Sequence, residues 1–385
     1  MTNPTVPPPG NEEELTHPIE AENAIELKEI AGLSQGQIVR RRFFRHKGAV
    51  IAMIVLGFIV LLAFTSVGLS VFGLRVPGWW QWTWTQIPEL VNRGRPTLSV
   101  VPEWLGGEGI RWGDHPFGQD EVGRDIFALV MRGTQQSLMI LVIVGIVATA
   151  IGTTLGALSG YYRKWVDPVI MRFTDIVITI PLIVAGAVLG RTFGNLGAPV
   201  LALVIGLFTW TSLARLVRAE FLSLREREFV DAARVAGASD GRIMFRHILP
   251  NAIGVIIVNA TLLMAAAILL ETGLSFLGYG VQQPDTSLGK IIAENQTAFG
   301  TRPWLFWWPG IFIIAIALCI NFIGDGLRDA FDPRQKRIPT DRALRKAQAN
   351  LDRATVEVAG RGAGMQMGGT TARGFHADRP DREDD

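Results

Sequence analysis

Charge is scarce in this sequence. Only 19% of its 385 residues are Asp, Glu, Lys or Arg, against about 25% in a typical soluble domain. That is too little charge to cover a water-facing surface of this size, which excludes an ordinary cytosolic enzyme. Cysteine is almost absent. The single Cys319 lies in an apolar run and has no partner for an internal disulfide, so a disulfide scaffold is excluded. Histidine numbers five, and no pair has metal-ligand spacing. The formal net charge of +2 is too small to suggest nucleic-acid binding. No internal repeat stands out, which weighs against a secondary transporter built from inverted repeats. No G-x4-G-K-[ST] phosphate loop is found, so nothing equips the chain to hydrolyse ATP alone. What is abundant is apolar: 49% of residues are hydrophobic, with 42 glycines, 11 tryptophans and a mean hydropathy of +0.28. This composition excludes a disordered chain and defines an integral membrane protein.

A hydrocarbon core of about 30 Å takes about 20 apolar helical residues. Runs of that length fall at 48–73, 133–162, 167–190, 192–214, 248–270 and 303–324, which predicts six transmembrane helices and an all-α integral membrane fold. The first run follows a 47-residue polar segment and precedes no A-x-A cleavage pattern, so it reads as a retained anchor. The third carries Arg172, Asp175 and Pro181, and a proline there predicts a kink.

Basic residues set the orientation. Arg40, Arg41, Arg42, Arg45 and Lys47 precede the first run, Arg163 and Lys164 follow the second, and seven arginines lie between Arg215 and Arg246. Arg328, Arg334, Lys336 and Arg337 follow the sixth run. One assignment puts all four clusters inside, with both termini cytoplasmic in the plasma membrane. The predicted layout is a cytoplasmic N-terminal tail at 1–47, a first transmembrane helix at 48–73 and an extracytoplasmic segment at 74–132. A five-helix core at 133–330 follows, holding a cytoplasmic loop at 215–250, and a cytoplasmic tail closes the chain at 331–385. Segment 74–132 holds six tryptophans, four of them between Trp79 and Trp84. It reads as an aromatic belt at the outer headgroups, with a substrate or partner surface as the alternative. Residues 1–47, with the acidic Glu12–Glu14 cluster, and the charged, Gly-rich 333–385 segment read as mostly disordered tails, with a short helix over Asp341–Val358.

The most informative segment is EREFVDAARVAGASDGRIMFRHILPN, from Glu226 to Asn251. Glu226–Ala236 reads as a helix ended by Gly237 in a left-handed conformation. Asp240 reads as the cap of a second short helix, and Pro250 opens the next span. Ala232, Ala233, Ala236 and Gly237 leave a surface with little side-chain bulk, on which another protein's backbone can come close. The alternative is an amphipathic hairpin on the inner headgroups. In this stretch, Asp231, Ala232, Ala233, Gly237, Leu249 and Pro250 resemble the E-A-A-x3-G-x9-I-x-L-P signature of permease subunits in binding-protein-dependent ABC importers. Asp231 replaces the usual Glu, and His247 replaces the Ile. Three further stretches are similar to the dipeptide and oligopeptide (peptide/nickel) branch of that family: HPFGQDEVGRD at His115–Asp125, ETGLSFLGYG at Glu271–Gly280 and NFIGDGLRDAFDPR at Asn321–Arg334.

The resemblance implies a type I ABC importer permease fold, an N-terminal helix followed by a five-helix core. It implies a second homologous permease subunit, two ATP-binding subunits, an extracytoplasmic substrate-binding protein and a peptide substrate. ATP and Mg would then belong to the partner ATPases, with no cofactor in this chain. Coupling would run through Asp231, Ala232, Ala233, Arg234, Gly237, Leu249 and Pro250. The local alternative for Asp231 is an ion pair with Arg227 or Arg234. Arg172 with Asp175, and Asp325 with Arg328, are spaced to pair on one helical face, as structural pairs or pathway charges. Glu271, at the outer end of the fifth span, is placed to meet a peptide's amino terminus or to form a helix-end hydrogen bond. A six-span channel acting alone is the main rival, but no N-P-A pair or selectivity-filter sequence supports it.

Overall fold

The computed structural model describes residues 35–331, apart from 72–73, 100–108, 110 and 194–195. The expected disordered tails as far as 34 and from 332, the helix over Asp341–Val358 and Trp104 lie outside the described residues, but the last part of the expected 1–47 tail is helical, over Gln35–Arg45. Eleven helices are described. They are α1 (Gln35–Arg45), α2 (Lys47–Ser66), α3 (Ile126–Tyr162), α4 (Val166–Thr179), α5 (Leu182–Phe193), α6 (Ala198–Thr209), α7 (Thr211–Arg225), α8 (Glu228–Val235), α9 (Asp240–Phe276), α10 (Leu288–Glu294) and α11 (Trp304–Phe331). A two-stranded antiparallel hairpin, β1 (Leu69–Val71) and β2 (Leu74–Val76), follows α2.

Four helices are long and apolar enough to cross a membrane: α2, α3, α9 and α11. The pairs α4–α5 and α6–α7 pass the same test together but are bent by 77° and 45°. Counting each bent pair as one span gives the six expected. The first bend falls at Pro181, where the expected kink is a complete break.

The expected first span over 48–73 is too long. Helix α2 stops at Ser66, because 20 residues already cover about 30 Å. Gly68 then takes a positive φ of 74°. The hairpin folds back onto the helix end, where the Trp79 and Trp80 amides donate to the Thr65 and Ser66 carbonyls. A Cβ on Gly68 would sit 2.1 Å from the Val76 carbonyl oxygen, so only glycine fits there.

Helix α3 starts seven residues earlier than the expected core boundary at 133. Asp125 caps it by accepting from the Ala128 amide at 2.8 Å. At 37 residues it is about 55 Å long, well beyond the hydrocarbon thickness, and forms the central rod. It packs on α6, α7 and α9, while α11 bridges α9 and α2. The α3–α7 contact is a glycine seam. A Cβ on Gly152, Gly156 or Gly160 would lie 2.9, 2.5 or 2.7 Å from the carbonyl oxygens of Trp210, Ala214 and Arg218 respectively. Small residues let two backbones approach where lipid gives no hydrophobic drive between helices.

The Trp-rich segment folds inward onto the Asp125 end of α3. The Trp80 indole donates to Asp125 at 2.9 Å. Trp82 stacks on His115 with centroids 5.5 Å apart, and the Arg132 guanidinium lies 4.5 Å above the Trp84 ring. These three half-buried tryptophans form a lid on the Asp125 end of α3. The Trp80 N–H and the ring faces of Trp82 and Trp84 find partners inside, the buried Trp82 N–H has none among the described residues, and Trp79 is mostly exposed.

Candidate functional site

The elbow between α7 and α9 is built by local rules. Helix α8 ends in a Schellman motif: Gly237, at φ 79°, donates its amide to the Arg234 carbonyl, and Ala238 donates to Ala233, each at 3.0 Å. Beneath α8, Val230 is fully buried among Tyr161, Phe221, Ile243, Met244 and Ile248. On the other side Asp231, Ala232, Arg234, Ala236 and Gly237 are exposed, and Val235 is 90% exposed. Nothing lies within 4 Å of where a Gly237 Cβ would stand. The result is a fixed, low-bulk knuckle with an open face.

Two expectations about the elbow are corrected. The second helix is not a separate short one. It starts at Asp240 and runs through a π turn at Ile243–Ile248 into the long α9. The wide turn, with the Leu249 amide reaching back to Met244, accommodates Pro250 inside a continuous helix. Nor does Asp240 cap it. Ser239 holds the N-cap position, and the Asp240 carboxylate instead accepts from the Tyr161 hydroxyl at 2.6 Å. Asp231 and Arg234 pair with each other at 2.6 Å, both well exposed, which is the local alternative for Asp231.

The elbow is braced against the Tyr161 end of α3. Arg225 lies over the Tyr161 ring at 5.7 Å and donates to the Tyr161 carbonyl. Arg163 pairs with Glu226 at 2.9 Å. Asp167 receives a two-pronged contact from Arg218, at 2.5 and 2.6 Å, and a bond from the Ser159 hydroxyl.

The other expected charge sites are arranged differently. Asp175 pairs with Arg215 at 2.6 Å, across from α4 to α7, and not with Arg172. Asp325 and Arg328 are both exposed, and among the described residues no ion pair joins them. Glu271 has no exposed surface. It accepts from Ser275 at 2.6 Å and Ser137 at 3.4 Å, which ties α9 to α3. Sequence reading missed Arg132, which is 7% exposed. It donates twice to Asp285, at 2.9 and 2.7 Å, and joins α3 to the loop before α10.

The HPFGQDEVGRD stretch builds the cap on α3. His115 lies 2.8 Å from Asp125, both buried. The Asp120 carboxylate gathers the amides of Val122, Gly123 and Arg124 within 3.0 Å. Burial pushes the Asp125 carboxyl above the usual aspartate range, against the opposing bonds from His115, Ala128 and Trp80. Among the described residues, no three His, Cys, Asp or Glu side chains converge to hold a metal.

A bundle of apolar helices with broken spans, joined by a rigid elbow, defines the class: a multi-pass membrane protein. The chain belongs to the family described as binding-protein-dependent transport system inner membrane component, whose model matches residues 152–337. Residues 34–73 match the N-terminal TM domain of oligopeptide transport permease C. The oligopeptide transport system permease protein OppC of Haemophilus influenzae is 34% identical over 330 residues, covering 83% of this chain and 98% of that one. The protein of the same name from Mycobacterium tuberculosis is 42% identical over 225 residues, 58% of this chain and 77% of the relative. A chain of the inward-facing MetNI methionine ABC transporter aligns at 20% identity and a TM-score of 0.43, over 53% of this chain and 96% of that one. The family match and these relatives make the protein an inner-membrane permease subunit of an ABC importer. ATP hydrolysis is the work of separate subunits.

Proposed function

We propose that this chain translocates di- or oligopeptides by alternating access, together with a second homologous permease. Two ATP-binding subunits dock on the elbow, and an extracytoplasmic binding protein delivers the substrate. Both termini and the elbow face the cytoplasm, where the basic clusters lie. ATP and Mg act in the partner ATPases. The peptide substrate is supported by the names of the two OppC relatives. The coupling role is carried by one observation, the open face around Gly237, flanked by Ala232, Ala236 and the exposed Asp231–Arg234 pair. ATP-driven closure can move the permease only if the ATPases bind its two conformations with different affinity, and a rigid docking knuckle meets that need.

The test is affinity purification of the tagged chain from native membranes in mild detergent, comparing wild type with Gly237→Asp. The substitution puts charge and bulk on the close-approach face and a side chain at positive φ. Wild type should recover an ATPase and a second permease, and the variant should lose the ATPase while keeping the permease. A chain that purifies alone in several detergents would sink the importer reading in favour of a channel.

A further inference from the structure

We propose that Tyr161 is a positioning residue, the joint through which movement of the elbow reaches α3. The inference rests on the elbow being the ATPase docking site.

Two routes lead out of the elbow. One follows the chain into α9, but between Asp240 and the α-helical part of α9 lies the π turn at Ile243–Ile248. Its wider, less regular bonding makes it a compliant segment. The other route leaves the chain at Asp240, whose carboxylate accepts from the Tyr161 hydroxyl at 2.6 Å. Tyr161 is 5% exposed and packs in the cluster that holds Val230 of α8. Arg225, on the approach to the elbow, grips the Tyr161 carbonyl and covers its ring. The residues before and after α8 therefore converge on one side chain.

That side chain belongs to the last turn of α3, which runs unbroken for 37 residues. At the far end Arg132 holds Asp285, and Asp125 holds His115 and Trp80. A push received at Tyr161 thus reaches the far end through one continuous helix. Along the way Gly152, Gly156 and Gly160 seat that helix against α7, whose Arg218 is locked to Asp167.

The experiment uses the complete transporter in proteoliposomes, with radiolabelled tri-alanine and MgATP. It is paired with amide hydrogen exchange on the same preparation, and compares Tyr161→Phe, Asp240→Ala, the double variant and Asp240→Asn. Tyr161→Phe keeps the ring and removes only the donor. Exchange at 239–243 should rise about five-fold, the ratio carried by one net hydrogen bond. Uptake per ATP hydrolysed should fall several-fold while ATPase subunits remain bound. Asp240→Ala should match Tyr161→Phe, and the double variant should be no worse, since both remove one bond. Asp240→Asn keeps an acceptor oxygen and should stay near wild type. Unchanged exchange in Tyr161→Phe would show there is no joint. Faster exchange with unchanged uptake per ATP would show a joint that transmits nothing. Either result overturns the proposal. Failure of the underlying importer reading is distinct, because then wild type itself recovers no ATPase and drives no ATP-dependent uptake.

Discussion

Replacing Gly156 with alanine should destabilise this protein, although alanine is the better helix former. The built Cβ would stand 2.5 Å from the Ala214 carbonyl oxygen, 2.8 Å from the Val217 Cβ and 3.1 Å from the Arg218 nitrogen. Ordinary contact begins near 3.4 Å, so the worst overlap is about 0.9 Å. Two of the three obstacles are backbone atoms of a helix, which cannot swing aside as a side chain can. The helices must part, which also loosens the seats of Gly152 and Gly160. Overpacking of this kind costs about 1–3 kcal/mol, and three seats on one seam place Gly156→Ala near the top of that range. Helix propensity returns about 1 kcal/mol, so the net loss should be about 2 kcal/mol. The control is Gly57→Ala in α2, where nothing lies within 4 Å of the new methyl; it should be neutral or stabilise by up to about 1 kcal/mol. Thermal unfolding of the two variants in the same detergent, followed by tryptophan fluorescence, should separate their midpoints by several degrees. If Gly156→Ala melts with Gly57→Ala, the seam is not a tight contact and the argument fails.

Two further outcomes follow from the charges at the Asp125 end of α3. Arg132→Ala strands Asp285 beside Gln136 and should cost about 2–3 kcal/mol, the scale of bonds to a charged group. Arg132→Lys should restore only part of this in the same unfolding assay, since an ammonium cannot reach Asp285 and Gln135 as a fork does. For Asp125, burial raises the folded-state pKa above the ordinary 3.8, so within that window the folded state holds the proton more firmly than the unfolded one. Its contribution to stability is then full below 3.8 and is lost as pH rises through the raised value. Asp125→Asn removes that loss, so wild type should lose ground relative to the variant as pH climbs from about 3.8 through the window. Denaturant titrations of both proteins at stepped pH would read this difference, and the opposite slope would refute it.

Much of this architecture could be read from the sequence wherever the signal was local. Apolar run length located the spans, and Pro181 marked a break that came out sharper than a kink. Gly237 marked a helix end, because a positive φ is a property of one residue and its neighbours. Where the signal was a contact between distant segments, reading failed in a consistent direction, toward the nearest partner in sequence. Arg172 was spaced for Asp175, but Arg215, 40 residues on, takes it. Asp240 looked like a cap, but Tyr161, 79 residues back, claims its carboxylate. Nothing local announced that Trp80 would bond to Asp125 or that Trp82 would stack on His115. The apolar run 48–73 concealed a hairpin, because strand residues on a membrane protein are as apolar as helical ones.

Glycine shows the division most sharply. The spacing Gly152-x3-Gly156-x3-Gly160 stands openly in the sequence, yet i, i+4 glycines only state that one helix face is bare. Which helix occupies that face is set by where Trp210, Ala214 and Arg218 arrive, and that depends on the 45° bend between α6 and α7. The bend aims the carbonyls of α7 into the seam. It also aims Arg218 at Asp167 and brings Arg225 over Tyr161. The seam, the brace and the elbow joint are therefore consequences of one turn at Trp210, whose ring is buried and whose indole N–H bonds to Leu207 at 2.8 Å. That turn carries neither proline nor glycine, so local sequence rules read straight through it as part of a span. The elbow's first helix and its stop at Gly237 could be read from sequence, but the continuity of its second half with α9 and its attachment to the rest of the molecule could not.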